Sequence, residues 1–238
     1  MNLLLLHPRD RLDENLYRVS DRRADHVRRV LGRTAGDELR AGLLNGPPGR
    51  ARILEDDARG LRLAFREEGE PPPPLALSLV LALPRPPMLH RVLHDATTLG
   101  IKRIVLVNSR RVEKSFWQSH RLSPESLTET LVQGLEQAGD TMVPQVLLRQ
   151  RFRPFVEDEL EAFSAASRRI LAHPGDHPPL PADLDEPVTL AVGPEGGWID
   201  FEVGALQRAG FQCHHLGSRI LRVETAVPTL VGRLMRLA

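Results

Sequence analysis

Four consecutive prolines, Pro71 to Pro74, constrain this chain more than any other stretch. Proline has no N–H for a sheet ladder and a fixed φ, so the run can be neither a central strand nor a helix interior. It reads as a stiff, extended spacer. With Glu67, Glu68, Gly69 and Glu70 leading into it, the spacer divides the 238 residues into a small unit, 1–70, and a larger one, 75–238,.

The two sides differ in period. Leu3–Leu6, Glu38–Leu44, Gly49–Leu54 and Gly60–Phe65 are short strand candidates separated by turn signals such as Asn45-Gly46-Pro47-Pro48,. Between the first two lies one helix, Asp21–Arg33, with Val27, Val30 and Leu31 as its apolar stripe,. Its five arginines against two aspartates make it locally basic. Such a cluster is either a solvated helix face or a footprint for RNA phosphates. After the prolines, strands and helices alternate. Leu75–Leu83, Ile104–Val107, Val143–Leu148, Arg169–Ala172, Val188–Val192 and Cys213–Leu216 read as strands. Met88–Leu99, Leu122–Ala138, Phe155–Ala166, Phe201–Ala209 and Glu224–Leu237 read as helices. That alternation predicts an α/β unit with a mostly parallel sheet.

A net charge of +1 excludes a whole-protein field that would draw the chain to nucleic acid or membrane, so such a partner needs a local patch,. Of the 32 basic residues only Lys102 and Lys114 are lysine. A single cysteine, Cys213, excludes intramolecular disulfides and cysteine-rich zinc sites,. The apolar start Met1–Leu6 is too short for a signal peptide or a membrane span, which predicts a cytoplasmic protein.

Two glycine-bearing turns stand at predicted strand ends. The first is Ala191-Val192-Gly193-Pro194-Glu195-Gly196-Gly197-Trp198; the second is Leu216-Gly217-Ser218-Arg219-Ile220-Leu221-Arg222-Val223-Glu224-Thr225-Ala226. Open α/β sheets bind ligands at strand carboxyl ends, and glycine lets backbone amides approach closely. Neither turn has the spacing of a P-loop or of the dinucleotide fingerprint. The first turn is a ligand loop or a purely structural one. In the second, Arg222 and Glu224 alternate with apolar neighbours. The pair can hold a polar ring and steady charge on it, or form a salt bridge at a helix start. His173 and His177 have zinc-ligand spacing, but Pro174, Gly175 and Pro178 rule out the helix that spacing requires, so no metal is expected.

These two turns closely resemble the signature of the bacterial 16S ribosomal RNA uracil-N3 methyltransferases, members of the knotted SPOUT superfamily. The resemblance extends over nearly the whole chain. His26-Val27-Arg28-Arg29-Val30-Leu31 is similar to the helix of the family's N-terminal PUA-like barrel. Thr98-Leu99-Gly100-Ile101, Glu136-Gln137-Ala138-Gly139 and Leu171-Ala172-His173-Pro174 are similar to three further segments. His94-Asp95, Thr98 and Asp140 depart from the family's usual Gln-Lys, Glu and Arg.

The resemblance implies a PUA-like β-barrel over 1–70, and over 75–238 a SPOUT methyltransferase domain with a C-terminal trefoil knot. It implies S-adenosylmethionine as cofactor, held by Leu171, His173, Gly193, Pro194, Glu195, Gly196, Leu216, Gly217, Ile220, Leu221 and Thr225. It further implies a homodimer acting on 16S ribosomal RNA of the small subunit, with no membrane or metal partner. Arg222 or Arg219 would steady the uracil anion, with Glu224 orienting that arginine or acting as the base. Arg22, Arg23, His26, Arg28, Arg29, Arg111 and Lys114 would grip RNA phosphates. A related enzyme acting on another ribosomal or transfer RNA nucleotide, and a non-catalytic assembly factor, stay open as alternatives.

Overall fold

Leucine at four successive positions, Leu3 to Leu6, shows how the start of the chain is used. Strand residues alternate between faces, so an all-leucine strand is buried on both. In the computed structural model, which describes residues 1–236, Leu4 and Leu6 enter one core while Leu3 and Leu5 pack against Val132 and Leu135.

The chain forms two compact units, one of Met1–Pro73 with Val132–Val143 and one of Pro74–Leu131 with the residues from Pro144 onward. The first holds a six-stranded sheet built from β1 (Leu4–Leu6), β2 (Arg11–Asp13), β3 (Leu16–Val19), β4 (Glu38–Leu43), β5 (Pro48–Asp57) and β6 (Gly60–Glu67). Their order is β1-β4-β5-β6-β3-β2, with β1 parallel to β4 and every other pair antiparallel. The short strands β2 and β3 are not expected from the sequence. Tyr17 and Val19 of β3 nonetheless point inward, joining Leu39, Ile53, Leu61 and Leu63 in the core.

Helix α1 (Arg22–Arg29) begins where the Asp21 carboxylate accepts the Arg23 N–H at 3.0 Å, an N-cap bond,. It ends earlier than the periodicity suggests. Ala24 and Val27 reach the core, whereas Val30 and Leu31 lie beyond the helix and are exposed. Arg23, expected to face RNA, is only 2% exposed. Its guanidinium donates to Leu5 O (2.5 Å), to both Asp10 carboxylate oxygens (2.7 and 3.0 Å) and to both Asp21 oxygens (2.8 and 2.7 Å). A fully hydrogen-bonded buried arginine has no donor left for phosphate, so the expectation for Arg23 is corrected to a structural role.

The second unit is a parallel sheet with helices between its strands: β7 (Leu77–Ala82), β8 (Arg103–Val107), β9 (Gln145–Arg149), β10 (Arg168–Ala172), β11 (Val188–Val192) and β12 (Gln212–His214), in the order β12-β10-β11-β7-β8-β9. All five strand pairs are parallel. The near-continuous apolar runs of β7, β8 and β11 are buried on both faces, as parallel strands require,.

Helices α2 (Pro86–Thr98), α3 (Pro124–Ala138), α6 (Asp200–Arg208) and α7 (Val223–Leu234) follow the predicted apolar spacing. The last turns of α3, from Val132, belong to the first unit. Gly100 closes α2 with φ +86°, a conformation that suits glycine,. The helix expected over Phe155–Ala166 is instead three pieces: α4 (Phe152–Pro154), a π turn (Phe155–Glu159) and α5 (Leu160–Phe163). Leu237, the predicted last residue of the closing helix, lies outside the described residues. No helix among the described residues is long and apolar enough to cross a membrane.

Candidate functional site

Because the six strands run in one direction, their carboxyl ends share an edge, and the loops after β8, β10, β11 and β12 emerge there,. They enclose a cavity of about 360 Å³. Both glycine turns form its wall: Gly193, Pro194, Glu195 and Gly196 on one side, Leu216, Gly217, Arg219, Ile220 and Leu221 on the other. His173 joins them from the end of β10. Val192, Val223, Ala226 and Leu230 supply an apolar floor, which the sequence reading did not assign.

Close packing explains the glycines of the first turn. A Cβ on Gly193 would sit 3.1 Å from the Trp198 ring, and one on Gly196 would sit 3.1 Å from Arg111 Cδ. The Arg111 guanidinium donates to the Gly196 carbonyl. Glu195 is pinned at the other end of its loop, accepting the Arg85 N–H at 3.0 Å. Glu202 is a residue the sequence reading missed. Buried at 3% exposure, it accepts from Ser109 Oγ (3.1 Å), Arg110 N (2.7 Å) and Ile199 N (3.1 Å). It thereby ties the loop after β8 to the start of α6 and holds Arg111 across the glycine turn. The sequence signal was the Glu three residues after Ile199, a capping position,.

Three buried polar atoms in the cavity-lining residues have no hydrogen-bond partner among the described residues: His173 Nδ1, Trp198 Nε1 and His214 Nε2. Two of their roles follow from chemistry. The indole N–H can only donate. His214 Nδ1 lies 3.1 Å from the Pro179 carbonyl, an acceptor, so Nδ1 carries a proton, and in that tautomer of the uncharged ring Nε2 is left as an acceptor,. Burial, helped by His177 and Arg111, pushes the His173 ring below its ordinary value and favours the neutral form. Glu136 Oε1 in the first unit also lacks a partner among the described residues, but unsatisfied buried polar atoms are costly, and three of them lining one cavity mark where a ligand can complete the pairing,. A medium-sized molecule with an apolar ring and several polar edges fits these dimensions and this donor–acceptor set.

The other sequence-derived residues are distributed differently. Leu171 is buried inside β10, between Ala191 and Cys213, and does not line the cavity. Thr225, Arg222 and Glu224 lie at the start of α7, outside the lining, with Arg222 at the N-cap. Among the described residues neither Arg219 nor Arg222 approaches Glu224 within ion-pair distance. On α1, Arg22 pairs with Glu136 at 2.9 Å and Arg28 with Asp56 at 2.6 Å. Burial, together with the amino terminus and Arg22, lowers the pKa of His26 despite Glu136 nearby. Arg29 and Lys114 are exposed. No group of three or more potential metal ligands occurs among the described residues.

Residues 71–235 match the model of the RNA methyltransferase domain family. The chain is similar to the ribosomal RNA small subunit methyltransferase E of Treponema pallidum, 33% identical over 213 residues that cover 87% of this chain and 79% of the relative. It is 30% identical to the Synechocystis protein of the same description, over 86% of this chain and 67% of the relative. Among solved structures it is similar to a ribosomal RNA small subunit methyltransferase E from Neisseria gonorrhoeae bound to S-adenosyl methionine. There the TM-score is 0.76 at 23% identity, covering 97% of this chain and 95% of that one.

Proposed function

This chain belongs to the RNA methyltransferase domain family, of the ribosomal RNA small subunit methyltransferase E type, and from that premise we propose that it uses S-adenosylmethionine to methylate N3 of a uridine in 16S ribosomal RNA, the family's U1498. The observation that carries the reading is the cavity at the carboxyl edge of the parallel sheet. Two glycine turns, both inside the family-matched stretch, form its wall, and unpartnered His173, His214 and Trp198 nitrogens are ready for a ligand.

The cofactor, when bound, supplies the methyl group of its sulfonium. Main-chain groups of Gly193, Gly196, Leu216 and Leu221 would hold it, with His214 Nε2 accepting from a donor and Trp198 Nε1 donating to an acceptor. The protein's task is then to make uracil N3 nucleophilic. The base is presented unpaired, its N3 proton passes to the Glu224 carboxylate or to solvent water, and the negative charge spreads to the carbonyl oxygens. Arg219, in the cavity wall, or Arg222, at the start of α7, would steady that charge,. Glu224, in the first turn of α7, would orient that arginine if it does not itself act as the base,. In this reading the first unit is a PUA-like RNA-binding module, the second a trefoil-knotted SPOUT domain, and the enzyme a cytoplasmic homodimer. Apolar Phe201, Ile220 and Leu221, exposed near the N-termini of α6 and α7, support the pairing of two copies.

Mass mapping of uridine methylation in 16S RNA, with the gene deleted and restored, tests the reaction. Loss on deletion and return on restoration is the expected result; unchanged methylation overturns the assignment. Arg222→Ala is expected to keep S-adenosylmethionine affinity in calorimetry and lose methyl transfer by about 10²- to 10³-fold. Lost cofactor binding would instead remove Arg222 from the chemistry.

A further inference from the structure

We propose that the segment Arg110–Arg121, which leaves the carboxyl end of β8 beside the cavity, is the surface that grips the single-stranded RNA flanking the target base. This deepens the reading above and rests on its claim that the substrate is RNA.

Charge is the first argument. Arginines are plentiful throughout the chain, but most of those on α1 are already spent: Arg22, Arg23 and Arg28 are neutralised by Glu136, by Asp10 with Asp21, and by Asp56. In the segment after β8, Arg110, Lys114 and Arg121 are exposed and make no side-chain ion pair or hydrogen bond among the described residues. Its sole acid is Glu113. Unpaired cations are the ones that release counterions on meeting phosphate, so the electrostatic footprint belongs here.

Aromatic placement is the second argument. Lys114–Gln118 forms a 3₁₀ turn that carries Phe116 and Trp117, both partly exposed. Trp117 Nε1 donates to Asn108 Oδ1 at 2.9 Å, which fixes the ring relative to the strand end. In a 3₁₀ turn residues i and i+3 eclipse, so Lys114 stands over the same side as Trp117. A held aromatic face with an ammonium next to it matches a base and its adjoining phosphate, the pattern of sequence-tolerant single-strand grooves. Buried Val112 and Leu122 anchor the segment at both ends, and Ser119 caps its second turn by accepting the Arg121 N–H at 3.2 Å. Arg111, within the segment, reaches the Gly196 carbonyl of the cavity wall. The segment therefore begins at the cavity where the base must arrive.

The test uses the full-length protein and a fluorescein-labelled, uridine-containing single-stranded RNA of about twelve nucleotides, within the span such sites cover. Its affinity is read by anisotropy across a salt series. The triple variant Arg110→Ala/Lys114→Ala/Arg121→Ala is expected to flatten the slope of log K against log salt by about 2, at roughly 0.7 per phosphate contact. Trp117→Ala is expected to weaken binding roughly 5- to 100-fold, with Trp117→Phe retaining most of it. S-adenosylmethionine affinity, measured by calorimetry, is expected to be unchanged in all three, which also reports that each variant is folded. Parental RNA affinity and salt slope in the triple variant overturn the proposal. So does equal loss in Trp117→Phe and Trp117→Ala. If the parent binds RNA through this segment but not S-adenosylmethionine, the methyltransferase reading fails and the RNA surface stands.

Discussion

Replacing Arg23 by methionine tests whether this arginine is a buried staple or an RNA contact. The substitution keeps much of the side-chain volume but removes five hydrogen-bond contacts to Asp10, Asp21 and the Leu5 carbonyl. Asp10, 7% exposed, then stays buried as a carboxylate without its guanidinium, while Asp21 turns to solvent. Breaking one partner of a buried ion pair typically costs about 3–5 kcal/mol. For a unit of fewer than 100 residues each kcal/mol moves the melting temperature by roughly 4–8 °C. The expected fall in Tm is therefore at least about 12 °C, read by differential scanning calorimetry or circular dichroism. Adding Asp10→Asn removes the stranded charge and is expected to restore part of the loss. A variant that melts within about 2 °C of the parent, yet binds RNA with a shallower salt slope, refutes the staple and returns Arg23 to the RNA surface.

Gly193→Ala places a Cβ 3.1 Å from the Trp198 ring, and overpacking of about 1–3 kcal/mol should weaken S-adenosylmethionine binding roughly 5- to 150-fold by calorimetry,. His173 is held below its unfolded value of 6.5, so the unfolded chain takes the proton first and stability declines as pH falls below about 6.5; urea melts of His173→Asn should show a smaller decline,. Asp21 works in the acid range: burial raises its carboxyl, but Arg23's hydrogen bonds outweigh that and bring it down to about 2, so its contribution is present above 3.8 and lost between 3.8 and about 2,. Asp21→Asn should flatten the stability profile across that window. Glu202→Ala leaves the Ser109 hydroxyl and the Arg110 and Ile199 amides without their acceptor and should loosen the loop after β8, read as faster hydrogen exchange at Arg110 and Arg111, with Glu202→Gln intermediate,.

Where a residue's role depends on its own neighbours in the chain, it was legible early. The apolar runs of β7, β8 and β11 announced parallel strands, and the glycines at 193, 196 and 217 announced turns at strand ends that do meet in one cavity. Roles that depend on distant partners were not legible. Nothing around His214 marks it as an acceptor in the wall, because its tautomer is set by the Pro179 carbonyl 35 residues away. Leu171 and Thr225 sit within recognised segments, yet strand alternation turns one into the core and helix phase turns the other away from the cavity.

The arginines show the same division at the level of charge. Amino-acid order alone determined the α/β alternation, the two glycine turns, and the concentration of positive charge on α1 and around Arg110–Arg121. Only the tertiary structure decided which of those charges remain available. Asp10, Asp56 and Glu136 are brought against α1 from remote positions and neutralise it, while the residues after β8 meet no such partners among those described. A sequence counts charges, but an electrostatic interaction depends on distance and burial, and both are properties of the fold.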